Sequence, residues 1–154
     1  NGILGMGPYP TEAEVDPDTG KIKLINCVTA HDCGQVINPL GVQGQLEGAI
    51  AMAAGYGFTE DLPMDNGNIL NPNFGDYKVL RATEMPETKI IDVETYEPEG
   101  PFGAKEAGEG LTNPTAGALA NAVYHATGCS IQELPITPEK LLNAMRAKRG
   151  EKDE

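Results

Sequence analysis

The chain has 154 residues, 11 Lys and Arg against 23 Asp and Glu, and a formal net charge of −12. That length allows one domain with a core that needs no disulfide or metal staple, and the charge excludes nucleic acid or an anionic membrane surface as natural partners, because both would be repelled. Gly (19) and Pro (12) make up about a fifth of the chain, against roughly an eighth in ordinary proteins, so the excess must be located.

Thr11-Glu12-Ala13-Glu14-Val15 reads as a strand, and Asp16-Pro17-Asp18-Thr19-Gly20 as the turn that follows it. Beyond the turn, Ile22, Leu24 and Val28 alternate with Lys21 and Lys23, the period of a half-buried strand, so the spacing predicts a hairpin. Asn38-Pro39 is a helix start, an N-cap followed by the helical position that tolerates proline. The helix is expected over residues 40–59. Val42, Leu46, Ile50 and Ala53 fall on one stripe, and Gly41, Gly44, Gly48, Ala51 and Gly55 on another. Each helical Gly costs about 0.5–1 kcal/mol relative to Ala, so the bare stripe implies a compensating contact. Close packing of another element is the commoner cause, and a bulky ligand lying on the helix is the alternative. Gln43, Gln45 and Glu47 interrupt any membrane-spanning run.

Residues 60–86 are rich in turn signals, with 77–83 a short helix or irregular. Residues 89–96 form a β-branched strand. Gly103-Ala104-Lys105-Glu106-Ala107-Gly108-Glu109-Gly110 is a second glycine-rich stretch, and Asn113-Pro114 opens a helix with Ala116, Leu119, Ala120 and Val123 inward, ending at Gly128. A connector with possible strand character leads to Thr137-Pro138-Glu139, the start of a last helix burying Leu141, Leu142 and Met145. Residues 146–154 are a charged tail expected to fray. The fold class expected is α+β, a small mostly antiparallel sheet packed by about three helices.

Cys27, Cys33 and Cys129 are an odd count without a close pair, which points away from a disulfide framework or an iron–sulfur or zinc cassette and towards a reducing, cytoplasmic compartment. Residues 1–8 carry no secretory n-region, and the missing initiator Met reads as processing or as a piece of something longer. The loop at 103–110 has the first two glycines of a phosphate loop, but Glu109 and Gly110 stand where Lys and a hydroxyl residue belong, and a carboxylate there would repel a triphosphate. What remains is a carboxylate flanked by glycines near a helix start. Partial burial of a carboxylate raises its pKa towards the range useful to a general base, although most Glu are simply solvated. Glu106 competes with Glu109, and spacing alone does not choose. His31 is followed by Asp32 and Cys33, but neighbours on a strand point to opposite faces, which weakens a metal or nucleophile reading. His125 is expected on a helix, partly buried. No metal-binding spacing and no nucleophile motif is present.

Two segments carry a resemblance. His31-Asp32-Cys33-Gly34-Gln35-Val36-Ile37-Asn38-Pro39, followed by Gly44-Gln45-Leu46-Glu47-Gly48-Ala49, resembles the D-x-G-x-x-x-N-P … G-Q-x-E-G-A pattern of the xanthine dehydrogenase/aldehyde oxidase family. The loop Lys105-Glu106-Ala107-Gly108-Glu109 resembles that family's K-x-x-G-E loop, and the Glu14-Val15-Asp16-x-x-Thr19-Gly20 hairpin agrees too. The likeness covers roughly residues 5–145 and identifies 1–145 as the C-terminal portion of a molybdopterin-binding domain. It implies a hydroxylase acting on an N-heterocycle (purine-like or nicotinate-like) or an aldehyde, with water as the oxygen source and molybdenum held by a pterin in mono- or cytosine-dinucleotide form. It further implies Glu109 as the general base, and Gly44, Gln45, Gly108 and Gly110 against the cofactor. Iron–sulfur clusters and FAD are expected on other domains or subunits, and the remainder of the molybdenum domain as a partner. The rival reading is a non-catalytic acidic α+β interaction module.

Overall fold

A computed structural model describes residues 5–6 and 11–150. Its centre is the strand β3 (Ile22–Asp32), which pairs on both sides. On one edge, β1 (Gly5–Met6) and β2 (Thr11–Val15) run antiparallel to it, Gly5 opposite Asp32 and Val15 opposite Ile22, with a bulge between Glu12 and Ala13. On the other edge, β6 (Glu87–Asp92) runs parallel, from Asn26 opposite Glu87 to His31 opposite Asp92. The turn at 16–20 is closed by Asp16, whose Oδ1 accepts hydrogen bonds from the Asp18 and Thr19 amides. Gly20 there has φ +70°, and a Cβ on it would collide with the Pro138 carbonyl oxygen.

The helix α1 (Pro39–Ala54) starts as its sequence indicates: the Asn38 side chain accepts from the Gly41 amide at 3.0 Å. Val42, Leu46, Ile50 and Ala53 are all buried. The helical path continues to Thr59, but as a π turn over Gly55–Thr59. A two-stranded hairpin, β4 (Met64–Asp65) and β5 (Asn68–Ile69), follows around Asn66 and Gly67, both at positive φ. Residues 77–81 are irregular, and a 3₁₀ turn at Ala82–Glu84 is clamped by an Arg81–Glu84 ion pair of 2.7 Å. The strand expected over 89–96 instead covers Glu87–Asp92 and then leaves the sheet.

The helix α2 (Thr112–Thr127) begins one residue before Asn113, led in by a 3₁₀ turn at Glu109–Leu111. Asn113 is therefore not its cap, and Pro114 sits within the first turn, where no amide donor is required. Gly128, in the left-handed conformation, ends it as expected. The helix α3 (Pro138–Arg149) buries Leu141 and Met145, takes in the first part of the charged C-terminal stretch and ends at Gly150. The connector at 129–136 forms no strand.

The result is a small mixed sheet covered by three helices, an α+β fold. The sheet is less uniformly antiparallel than the sequence suggests, because β6 returns parallel to β3. A parallel return needs a crossover, which α1 and the long segment after it supply. The core has two parts. Leu24, Phe58, Leu119, Val123, Ile136, Leu141 and Met145 form one. Cys27, Cys33, Val42, Leu46, Ala49, Ile50 and Leu111 form the other. Among the described residues no helix is long and apolar enough to cross a membrane.

Candidate functional site

The second core cluster fixes two things in space. Leu46 and Ile50 hold α1, and Leu111 packs against them, so the turn before α2 is anchored beside the start of α1. The glycine-rich loop 104–110 spans the gap. Its first residues add to the end of β3: the Lys105 amide donates to the Cys33 carbonyl at 2.7 Å, and the Gln35 amide to the Gly103 carbonyl at 2.9 Å. Gly34 has φ +69°, and a Cβ there would collide with the Gly103 carbonyl oxygen. Only glycine permits this approach.

Lys105 then turns inward. Its Nζ lies 2.6 Å from Asp32 Oδ2, and the two side chains are only 11% and 13% exposed. The Thr95 hydroxyl donates to the same carboxylate oxygen at 2.6 Å, Lys105 Nζ donates to Thr95 Oγ1 at 2.7 Å, and the Gly34 amide donates to Asp32 Oδ1 at 2.9 Å. Burial alone would push the Asp32 carboxyl up. The Lys105 ammonium, the Thr95 hydroxyl and the Gly34 amide outweigh it and hold this acid well below the ordinary carboxylate range.

Further along the loop, buried His31 places Nε2 3.2 Å from the Glu106 carbonyl oxygen and donates to it. The Glu106 carboxylate bends back to accept from the Gly110 amide at 3.4 Å. A Cβ at Gly108 would lie 3.2 Å from Glu106 Oε1 and 3.8 Å from Gln45 Oε1, which brings Gln45, Glu106 and Gly108 into one neighbourhood. The exposed Glu109 carboxylate and the exposed Gln45 carboxamide make no hydrogen bond within the described residues. Beside Gln45 a cleft of about 350 Å³ runs between α1 and the loop, lined by Cys33, Asn38, Gly41, Gln45, Lys105 and Ala107 among others. A larger depression of about 760 Å³ lies between β2 and α2 and contains none of the loop residues.

The glycine stripe of α1 divides in two. A Cβ at Gly41 would press on the Asn38 side chain, and one at Gly55 on the Glu60 carboxylate. At Gly44 and Gly48 an added Cβ would meet nothing within 4 Å. Packing among the described residues therefore does not explain the bare middle of the helix.

Of the residues singled out in the sequence, Gln45 and Gly108 come together, Gly44 lies on the bare face beside Gln45, and Glu109 and Gly110 begin the turn into α2. His125 is exposed, against the expectation of partial burial, with its ring edge-on to Tyr124. The Cys33 thiol is pushed up by burial and by the nearby Asp92 carboxylate, the opposite of an activated thiolate. Among the described residues no cluster of three His, Cys, Asp or Glu is arranged to hold a metal. The Asp32–Lys105–Thr95 cluster and the His31 contact are additions that sequence reasoning does not reach. Their one sequence signal is that Asp32 and Lys105 each open a glycine-containing motif.

Residues 3–86 match the family model described as the molybdopterin cofactor-binding domain. The xanthine dehydrogenase molybdenum-binding subunit of Escherichia coli O157:H7 is 36% identical over 82% of this chain and 17% of its own length. The nicotine 6-hydroxylase large subunit of Paenarthrobacter nicotinovorans is 35% identical over 94% of this chain and 18% of its own. The crystal structure of the aldehyde oxidoreductase from Desulfovibrio desulfuricans ATCC 27774 superposes with a TM-score of 0.80 at 36% identity, covering 89% of this chain and 15% of that one. The chain thus spans less than a fifth of the length of these curated relatives.

Proposed function

Because the chain belongs to the molybdopterin cofactor-binding domain family, we propose that it forms one wall of the active site of a larger molybdenum hydroxylase and supplies its general base, Glu109. The substrate in this reading is an N-heterocycle (purine-like or nicotinate-like) or an aldehyde, in keeping with the names of the relatives. The remainder of the molybdenum subunit completes the site, and iron–sulfur and flavin units carry the electrons away. Three separate buried thiols suit a reducing, cytoplasmic setting.

The residues present fit the cofactor. Gly44 and Gly48 leave a strip of helix without side chains. Gln45 sets a free carboxamide beside it, one acceptor and two donors, and Gly108 keeps the opposing loop low. When bound, the cofactor supplies the redox chemistry that inserts an oxygen atom from water into a carbon–hydrogen bond. The chain's own part is to offer a polar, otherwise bare surface and to take up a proton at Glu109.

The observation that carries the assignment is the different engagement of the two loop acids. Glu106 commits its carboxylate to the Gly110 amide and its carbonyl to His31. Glu109, between two glycines, has its carboxylate free among the described residues. A base must reach the proton it abstracts, and of the two loop acids Glu109 is the less engaged.

The test is Glu109→Gln in the intact enzyme. Turnover should fall by at least about 100-fold, the scale of a lost general base, while molybdenum and pterin stay at wild-type content. Near-normal turnover, or an equal loss with Glu106→Gln, refutes the assignment. Absence of molybdenum and pterin from the intact native protein would favour the acidic interaction module instead.

A further inference from the structure

We propose that Asp32 and Lys105, with Thr95, form a latch whose task is to hold the 104–110 loop in register with α1, making them positioning residues for the reaction assigned to Glu109. The inference rests on that assignment and extends it to residues that do not themselves carry the chemistry. The loop is glycine-rich and has no ladder of its own beyond the single bridge of Gly34 with Ala104. A flexible segment of this kind places its carboxylate only if something fixes its first residues. Lys105 brings a charged side chain into a nearly enclosed site, where it meets a carboxylate held from three directions by the Gly34 amide, the Thr95 hydroxyl and its own ammonium.

The geometry ties three separate parts of the chain at one point. Asp32 ends β3, Thr95 lies just beyond β6, and Lys105 opens the loop. Asp32 is also six residues before Asn38, the cap of α1, and Glu94 beside Thr95 accepts from the Val36 amide at 3.0 Å in that same connection. Movement of Lys105 is therefore coupled to the segment that places α1, and with it Gln45. The His31 bond to the Glu106 carbonyl gives the loop a second fixed point one residue later. Beyond it Gly108 and Glu109 are held through Glu106, through Leu111, buried against α1, and through the Thr112 amide, which donates to the Glu109 carbonyl. An ion pair in a nearly enclosed site stabilises poorly compared with apolar residues of the same volume, so what this pair contributes is geometry rather than stability.

The experiment uses the intact, cofactor-loaded enzyme with Lys105→Met, Asp32→Asn, the uncharged pair Asp32→Asn/Lys105→Gln, and Thr95→Val. Thr95→Val removes only an exposed hydroxyl and guards against outright misfolding of the charge variants. Two quantities are read: kcat per bound molybdenum with KM, and amide hydrogen exchange of peptides spanning 103–111. The latch predicts exchange in that segment faster by at least about tenfold. It also predicts kcat per molybdenum lower by about 10- to 100-fold, as expected when a catalytic group shifts by an ångström, with KM within about twofold. The uncharged pair should be no worse than the poorer single variant, since both changes break one contact. Wild-type exchange in 103–111, or wild-type kcat per molybdenum in Lys105→Met and Thr95→Val, overturns the proposal. Glu109→Gln serves as the separating control. If it turns over normally, the base assignment fails while the exchange result still judges the latch. If it is inactive and Lys105→Met is not, the latch alone fails.

Discussion

Two acidic residues in the candidate site stand in different surroundings. Glu109 stands free on a bare loop, whereas Asp32 is surrounded by donors and nearly enclosed. That difference has a pH signature. The Asp32 carboxyl is held well below its ordinary value of 3.8 in the folded chain, because Lys105, Thr95 and the Gly34 amide outweigh the cost of burial. A depressed folded-state pKa contributes stability that is complete above the unfolded value and is lost as pH falls through the folded one. Wild type should thus keep a constant stability advantage over Asp32→Asn from neutral pH down to about pH 5, and the advantage should shrink below that. Urea unfolding of both chains between neutral pH and strong acid measures it. An advantage that vanishes between pH 7 and about 5 would show that the pair does not hold the carboxyl down. Glu84 follows the same rule: its hydrogen bonds with Arg81 lower it to about 2, but on the surface, and it is common to both chains and cancels in the comparison.

At the scale of elements, the helix α1 is the informative one. Its start, its buried stripe and its glycines all follow from local rules: a side-chain cap, the 3.6-residue period, and the conformational cost of glycine. These signals lie within one or two turns, which is why they are legible in the sequence, as is the 16–20 hairpin. What is not legible is non-local. The parallel return of β6 and the meeting of Asp32 with Lys105, 73 residues later in the chain, depend on a crossover that no periodicity records. The 89–96 strand ends early for the same reason. Its β-branched run continues, but Thr95 is drawn off the sheet to Asp32. The sequence also leaves two causes for the glycine stripe open, and among the described residues the open space at Gly44 and Gly48 gives no support to packing as the cause. A prediction of opposite signs follows. Gly44→Ala and Gly48→Ala should each stabilise the chain by about 0.5–1 kcal/mol, since a helical Gly gives way to the best helix former without a clash. The same changes should lower molybdenum and pterin content in the intact enzyme, because each adds a methyl group to the strip assigned to the cofactor. Thermal or urea unfolding reads the first effect and metal analysis the second. Destabilisation by either Ala would mean that this face is packed after all, and unchanged cofactor content would remove the strip from the site.

At the scale of the whole molecule, the site residues sit at an open surface. Small-molecule and cofactor sites bury about 70–90% of what they bind, and a cleft of about 350 Å³ between one helix and one loop does not provide that enclosure. The surroundings carry apolar side chains turned to solvent: Ile37 just before α1 is 62% exposed, Leu40 in its first turn 79% and Phe102 just before the loop 81%. With a core in two well-buried clusters, the 154-residue chain should fold when expressed alone. It should neither retain molybdenum nor turn over substrate, because in the proposed reading it offers one wall and the base but not the enclosure. Co-expression with the remaining molybdenum subunit should restore both metal content and turnover. Elemental analysis of the purified chain decides the point: stoichiometric molybdenum bound to these 154 residues alone would mean that the bare face of α1 and the 104–110 loop suffice to hold the cofactor, and that the one-wall reading of this surface is wrong.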